Sequence, residues 1–422
     1  LQATLQSVWT FEIIEVISFK APACFESRLS KVARVKKSDF KAQHTGRLVT
    51  TPQRFLAFVP APLPPDFDYD PALVRLLSRA DAGLSELSGI GRLLPNPHLL
   101  IAPWVRREAV LSSRIEGTRT TLSELLIDEL GDTAGRKTAD PDMQEVRNYV
   151  EALEYGRERL AALPLSLRLV RELHARLMKD VRGGHATPGE FRTSQNWIGP
   201  EGSTPETAAY VPPPVSEMTA CLDSWEKFLH ERDAFPDLIQ CALMHEQFEA
   251  IHPFLDGNGR VGRLLITLFL IERGRLSQPL LYLSDYIDTN RQDYYGLLQR
   301  VRTHGEWGAW LRFFINGVLE ISKEASSRIA TLLELHRRYT ALVREAGRLA
   351  TTPLIDQLFQ NPYVTVAAAQ AAMKVSNPTA RSAINFLHDK GMLREITGRE
   401  WGRMYVADEI LEAIGSGESG RE

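Results

Sequence analysis

Apolar residues recur at helical spacing along most of the chain between residues 71 and 346. Leu73, Leu76, Leu77, Ala80, Leu84 and Leu87 keep the i, i+3, i+4 period and predict a first amphipathic helix. Trp104, Val105, Ala109, Val110 and Ile115 predict a second, with Pro103 at its start and Gly117 to end it. Further helices are expected at 120–130, 141–162, 164–180 and 216–230. Asp237 can cap a helix through Ile251, with Leu238, Ile239, Ala242, Leu243, Phe248 and Ile251 inward. The next helix, Arg260 to Arg273, is apolar on nearly every face and ends at Gly274, so it is expected at the centre. Helices at 290–302 and 306–346 complete a mainly α bundle.

Two stretches break that rhythm. Residues 189–214 set aromatic and β-branched residues on either side of a Gly/Ser/Pro/Thr turn, which predicts a β-hairpin of Gln195–Ile198 against Ala209–Val211. Residues 351–412 run helix (352–359), Val364-Thr365-Val366, helix (367–373), turn at Val375-Ser376-Asn377-Pro378, helix through Lys390, then strand-like runs at 393–397 and 403–407. That order is a winged helix-turn-helix. Ahead of the helices, residues 20–50 hold eight Lys/Arg against two Asp/Glu with no helical period, and 60–71 are proline-rich. The expected units are a disordered or incidental extension (1–54), an N-terminal helical region (55–135), a catalytic core (136–346), the winged helix (351–414) and a tail (415–422).

Composition changes this picture little. A chain of 422 residues can bury two or three cores. A net charge of −3 gives no broad attraction to nucleic acid or an anionic membrane. No apolar run reaches the roughly 18 residues of a spanning helix. Val8 to Phe19 is interrupted by Glu12 and Glu15 and lacks a basic leader, so it reads as a poor signal peptide. Cys24, Cys221 and Cys241 show no close pairing, which argues against a disulfide framework and suits the cytoplasm.

The chemistry concentrates between two apolar helices, in His252-Pro-Phe-Leu-Asp-Gly-Asn-Gly-Arg-Val-Gly-Arg263. A helix N-terminus offers free N–H groups and a favourable dipole to an anion. Gly257 and Gly259 permit close backbone approach. Arg260 and Arg263 can fork onto neighbouring phosphoryl oxygens. Asp256 is a hard oxygen ligand of the kind Mg²⁺ takes, and His252 is a base for neutral pH. Together they describe in-line attack on phosphorus. Residues 257–262 formally match the dinucleotide GxGxxG pattern, but no strand precedes them. His245-Glu246 fails the zinc-protease spacing because position 249 is Glu, and no Walker-type loop is present. A bare glycine-rich turn with surface arginines does not need the His and Asp as well.

The stretch resembles the Fic signature HxFx[DE]GNGRxxR at every defined position. The likeness extends over roughly Phe55 to Ile414, and the chain resembles the bacterial Fic proteins that carry an N-terminal helical region and a C-terminal winged helix. It implies a Fic-type helical bundle with a β-hairpin flap, and transfer of AMP from ATP to a Ser, Thr or Tyr hydroxyl of a protein, releasing pyrophosphate. In that reading His252 deprotonates the acceptor and Asp256 binds Mg²⁺. Gly257, Asn258 and Gly259 hold the α-phosphate region. Arg260 takes the β-phosphate and Arg263 the γ-phosphate, with Val261 and Gly262 completing the nucleotide-binding segment. Phe254 reads as a packing anchor for the loop. The hairpin corresponds to the flap, with Trp197 and Ile198 as target contacts beside the alternative that they only pack it down. Tyr294 and Tyr295 resemble the tyrosines bordering the adenine pocket. Ser112-Ser113-Arg114-Ile115-Glu116-Gly117 resembles the inhibitory motif [ST]xxxE[GN], so Glu116 is expected to pair with Arg263 and displace the γ-phosphate. Removal of AMP, transfer of another phosphate-linked group, self-modification and a homodimer stay open. So does a DNA-binding regulator, although residues 376–406 carry only five basic residues against three acidic ones.

Overall fold

The computed structural model describes residues 37–415 except 43, 94–96, 133–139, 182–186 and 201. The expected extension before residue 37, the boundary between helical region and core near 135, and the tail after Gly415 lie outside the described residues.

Among the described residues the chain is mainly helical, with two small antiparallel sheets. Its centre is a helical hairpin, α7 (Asp237–Ile251) and α8 (Asn258–Glu272), joined by the loop that carries the phosphate-type motif. Every residue of α7 from Leu238 to Ile251 is buried, and α8 is buried from Arg260 to Leu270. The expectation that α8 sits at the centre is met because apolar side chains on all its faces need neighbours on all sides. Those neighbours are α7, α2 (Pro97–Ile115), α4 (Pro141–Arg159) and α5 (Leu167–Leu177). A Leu265→Ala change in so closed a setting costs about 2–5 kcal/mol.

The remaining helices enclose this core. α1 (Pro71–Leu93) starts at an aspartate cap, with the Ala72 and Leu73 N–H groups donating to Asp70 Oδ1 at 2.9 Å. α3 (Leu122–Asp132), α6 (Val215–His230), α9 (Ser284–Thr289) and α10 (Arg291–His304) follow in order. α11 (Trp307–Glu345) is one helix of 39 residues, roughly 58 Å at 1.5 Å per residue. It packs against α1, α7 and α10, and then against α12 (Thr352–Gln360) and α15 (Asp408–Ile414), so it ties the core to the C-terminal unit. That unit adds β3 (Tyr363–Thr365), α13 (Val366–Met373), α14 (Asn377–Asp389), β4 (Arg394–Glu395) and β5 (Met404–Val406). The sheet order is β3-β5-β4, and Val406 sits between Tyr363 and Arg394.

Four local expectations change. Residues 46–54, expected within an extension, begin a hairpin in which β1 (Gly46–Thr50) pairs with β2 (Leu56–Pro60). The Lys41 and Ala42 N–H groups donate to Thr303 O, and Thr45 and Thr51 are buried, so this segment is packed on the core. A reading keyed to helical period overlooks a strand of five residues. Pro103 lies inside α2 instead of at its start, because Ile101 already contributes to the buried face and burial outweighs one lost hydrogen bond. Pro236, not Asp237, is the N-cap of α7. The predicted 195–211 hairpin reduces to one bridge, Ile198 with Tyr210 (2.8 and 3.0 Å). Its ladder stops because residues 212–214 are prolines without N–H, and because Asn196 bonds to the motif loop instead.

Candidate active site

His252 ends α7 in the left-handed region, at φ 49° and ψ 61°. A non-glycine residue holds that conformation only when its surroundings impose it. Here the His252 carbonyl accepts from Arg192 Nε (3.0 Å) and Asn196 Nδ2 (3.1 Å), while its N–H donates to Phe248 O (3.0 Å). Arg192 is 1 % exposed and also donates to Pro213 O at 2.6 Å, so the base of the flap and the histidine are one assembly. Burial holds the His252 imidazole down to about 3, with the nearby Arg192 and Arg302 charges adding to the effect. The ring is therefore neutral near pH 7.

The loop closes on itself. Asn258 accepts from the Phe254 N–H (2.9 Å) and donates to the Phe254 carbonyl (2.8 Å). Phe254 is fully buried and stacks on His174 at 3.7 Å, as its expected packing role requires. His174 in turn links three elements: the Gly189 N–H donates to its Nδ1 (2.9 Å), and its Nε2 donates to the Asp256 carbonyl (3.0 Å). Gly257 caps α8 at φ 77°, and a Cβ there would lie 2.9 Å from Met178 Sδ. The first N–H groups of α8 have no partner within the helix, which leaves an anion-seeking end facing the loop.

Both arginines are buried and already paired. Arg263 donates from Nε to Ser112 Oγ (2.8 Å), and from Nη2 to Ser112 O (3.0 Å) and Glu116 Oε1 (2.6 Å). Glu116 follows the last residue of α2 in a turn closed by Gly117 at φ 102°, which directs the carboxylate onto the guanidinium. Burial pushes the Glu116 carboxyl up, but Arg263 and then Arg260 outweigh it and hold it below the usual range. Glu116 also fills the space above Gly259, where an added Cβ would lie 2.3 Å from its Oε1. Arg260 Nη1 pairs with Glu145 Oε2 at 2.9 Å, and its Nη2 lies 3.6 Å from Asp256 Oδ1. Burial pushes Asp256 up, Arg260 opposing it.

The structure thus brings His252, Asp256, Gly257, Asn258, Gly259, Arg260, Arg263 and Glu116 to one place. It distributes the others differently. Val261 is fully buried in the core. Gly262 makes room for Glu249, whose Oε1 would be 2.4 Å from a Cβ at that position. Tyr294 is 1 % exposed and its hydroxyl bonds to His245 Nε2 (2.9 Å), while Tyr295 is half-buried at its edge. Trp197 is buried in a cluster with Phe55, Ala57, Ala208 and Val211, its Nε1 donating to Ser203 O, whereas Ile198 is half-buried. Glu145, Arg192, Asn196 and His174 were not singled out from the sequence, and His245 and Glu249 were weighed only against a zinc-protease motif that they fail. The usable signal was His245, Glu249 and His252 at i, i+4 and i+7, three titratable residues on one side of an apolar helix.

Residues 74–158 match the model of the Fic/DOC family N-terminal region, and residues 164–270 match the model of the Fic/DOC family. The chain belongs to the Fic/DOC family. The Fic match ends within α8 and contains the whole motif loop. Among curated relatives, this Fic chain is 30 % identical over 154 residues to the protein adenylyltransferase Fic of Aedes aegypti, covering 35 % of this chain and 27 % of that one. It is 28 % identical over 213 residues to the protein adenylyltransferase Fic of Nematostella vectensis, covering 48 % and 44 %. It therefore spans less than half the length of these relatives. A solved Fic family protein from Desulfovibrio desulfuricans G20 is similar at 21 % identity and a TM-score of 0.49, over 82 % of this chain and 98 % of that one. Fic-1 from C. elegans is similar at 19 % identity and a TM-score of 0.48, over 63 % and 75 %.

Proposed function

We propose that this Fic chain is a protein adenylyltransferase, transferring AMP from ATP to a Ser, Thr or Tyr hydroxyl of a protein, and that Glu116 holds it off. The observation that carries the reading is the buried Arg263, poised at the N-terminus of α8 and paired with Glu116 at 2.6 Å while a neutral His252 stands on the same loop. A buried guanidinium at a helix N-terminus suits a polyphosphate, and here a carboxylate stands in for one.

In transfer, the acceptor hydroxyl gives its proton to His252 as its oxygen bonds to the α-phosphorus and pyrophosphate leaves. Gly257 and Gly259 let backbone N–H groups approach the phosphates, and Arg260 and Arg263 neutralise the leaving charge. Arg263 reaches the γ-phosphate only when Glu116 releases it. Asp256 fits Mg²⁺ as a single carboxylate, 27 % exposed. Among the described residues no group of three or more His, Cys, Asp or Glu could hold a metal alone. That donor set suits an ion that takes its remaining ligands from phosphate and water, and such an ion would offset charge on the phosphates. The half-buried Ile198 beside its bridge to Tyr210 is the better target contact, and Tyr295, whose neighbours include Glu116 and Arg263, is the better adenine contact.

We read residues 351–414 as a winged helix that docks on α11 and recruits or packs. Arg394 is spent on Asp408 through two 2.7 Å bonds, which leaves less free positive charge for DNA. Among the described residues no helix is long and apolar enough to cross a membrane. Incubating the purified chain with ATP labelled at the α- or the γ-phosphate tests the reading. Label carried into protein from the α-phosphate alone supports AMP transfer, and γ-label carried into protein contradicts it.

A further inference from the structure

Among the described residues, the buried polar atoms around the loop without a hydrogen-bond partner include Asn196 Oδ1, Arg260 Nε, Glu249 Oε1 and His252 Nδ1; of these, Glu249 Oε1 and His252 Nδ1 stand together. They belong to residues three apart at the end of α7, and Nδ1 lies 4.0 Å from the other Glu249 oxygen, Oε2. Glu249 keeps 9 % of its side-chain surface and His252 19 %. Burying a carboxyl oxygen without a partner costs several kcal/mol, so a fold that keeps one beside an imidazole nitrogen whose other near acceptor is only the Glu249 backbone carbonyl has a use for the pair. The chain also makes room for it: the backbone of Gly262 passes so close that any Cβ would collide with Glu249 Oε1.

We propose that Glu249 is the positioning residue for His252. Its carboxylate accepts from Nδ1–H, which leaves the lone pair on Nε2 for the acceptor hydroxyl, and it then pairs with the imidazolium formed during transfer. The proposal rests on the adenylyltransferase reading. In the step, the acceptor O–H proton passes to Nε2, the acceptor oxygen bonds to the α-phosphorus, and the phosphorus–oxygen bond to pyrophosphate breaks, its electron pair leaving with pyrophosphate. Glu249 takes no proton. A contact of 4.0 Å closes to a hydrogen bond by a small side-chain rotation, as catalytic contacts do when substrate arrives. The charged groups facing the pair are Arg263 and Glu116 from one side, Arg302 and Glu246 from another, and Arg192 from the flap base. Burial disfavours the charged form of each group, raising the Glu249 carboxyl to about 7 against Arg263 and lowering the His252 imidazole to about 3, and contact between carboxylate and imidazolium opposes both shifts, so Glu249 acts as a carboxylate only once the two meet.

The test is nitrogen NMR of the full chain labelled at histidine, with the His252 signals assigned by their loss in His252→Ala. The wild-type ring should carry its proton on Nδ1. In Glu249→Gln the imidazole pKa should fall by about one or more, and proton occupancy should shift toward Nε2. A wild-type ring protonated on Nε2, or a His252 titration unchanged in Glu249→Gln, overturns the proposal. Because the Glu249 backbone carbonyl can also accept from Nδ1–H, the His252 titration in Glu249→Gln, with Glu249→Asp as a second variant, decides between side chain and backbone. In the Glu116→Gly background, Glu249→Gln should lower kcat for AMP transfer by about 10- to 100-fold at unchanged KM for ATP, with Glu249→Asp recovering part. If the Glu116→Gly parent transfers no AMP, the adenylyltransferase reading fails, while the NMR result still decides whether Glu249 holds His252.

Discussion

Replacing Glu116 with glycine should activate the chain and destabilise it at once. The carboxylate makes a 2.6 Å charge-assisted bond to Arg263 and keeps 32 % of its side-chain surface. A hydrogen bond to a charged group contributes about 1.5–3 kcal/mol, and solvent at a partner this exposed argues for the low end, about 1.5 kcal/mol. The same negative charge opposes an incoming γ-phosphate by about 1.5 kcal/mol once solvent screens the roughly 4 kcal/mol of unit charges 4 Å apart at an effective dielectric near 20. Together they misalign the triphosphate by about 3 kcal/mol, so Glu116→Gly should raise AMP transfer roughly a hundredfold. Arg263 keeps Ser112 but loses its counter-charge while 2 % exposed. The nucleotide-free variant should therefore melt below wild type and show the larger rise in Tm on adding ATP. The assay is α-labelled ATP incorporation beside thermal melts with and without ATP, with Glu116→Gln as a control that removes charge but keeps the side chain. Equal labelling and equal ATP-induced shifts in wild type and Glu116→Gly would refute the reasoning.

The other expectations follow from the same geometry. His252→Ala should lower transfer by about 10²- to 10⁴-fold while ATP still protects against melting, and transfer that persists near the parent rate contradicts its role as base. Gly262→Ala should destabilise by about 1–3 kcal/mol because its Cβ would lie 2.4 Å from Glu249 Oε1, and Glu249→Ala should relieve much of that cost in a double-mutant cycle. Additive denaturant midpoints would argue against the collision. His174 is held down to about 4 from 6.5, chiefly by burial, and accepts the Gly189 N–H on Nδ1. The unfolded chain takes that proton first, so stability is full above about 6.5 and falls as pH drops toward 4, by on the order of 3 kcal/mol. His174→Gln should flatten that part of a pH–stability curve, and an unchanged slope would count against the assignment.

Much of this was legible before any coordinates. The apolar period placed α7 and α8, because a helix without a polar face has only the core to go to. The motif residues were legible as a unit because they lie within twelve positions, and the Glu116–Arg263 contact could be anticipated across 147 residues from its motif. The misses share a cause. Glu145 reaches Arg260 across 115 residues and Arg192 reaches the His252 carbonyl across 60, with no local period to mark either. β1 is too short to announce itself against its basic surroundings. Asn258 and Gly262 look like ligand groups in a phosphate motif, yet Asn258 spends both ends of its amide on Phe254 and Gly262 makes space for Glu249. Trp197 and Tyr294 are ambiguous in the sequence between target, ligand and core, and each is buried with its polar atom bonded.

The most direct test of the central claim compares Glu116→Gly with Glu116→Gly/His252→Ala, each incubated with ATP labelled at the α- or the γ-phosphate in a cell lysate. The account predicts α-label on protein hydroxyls in the single variant, none from the γ-phosphate, and loss of the signal in the double variant. No α-label in the single variant, protein label from the γ-phosphate, or α-label that survives loss of His252 would contradict it.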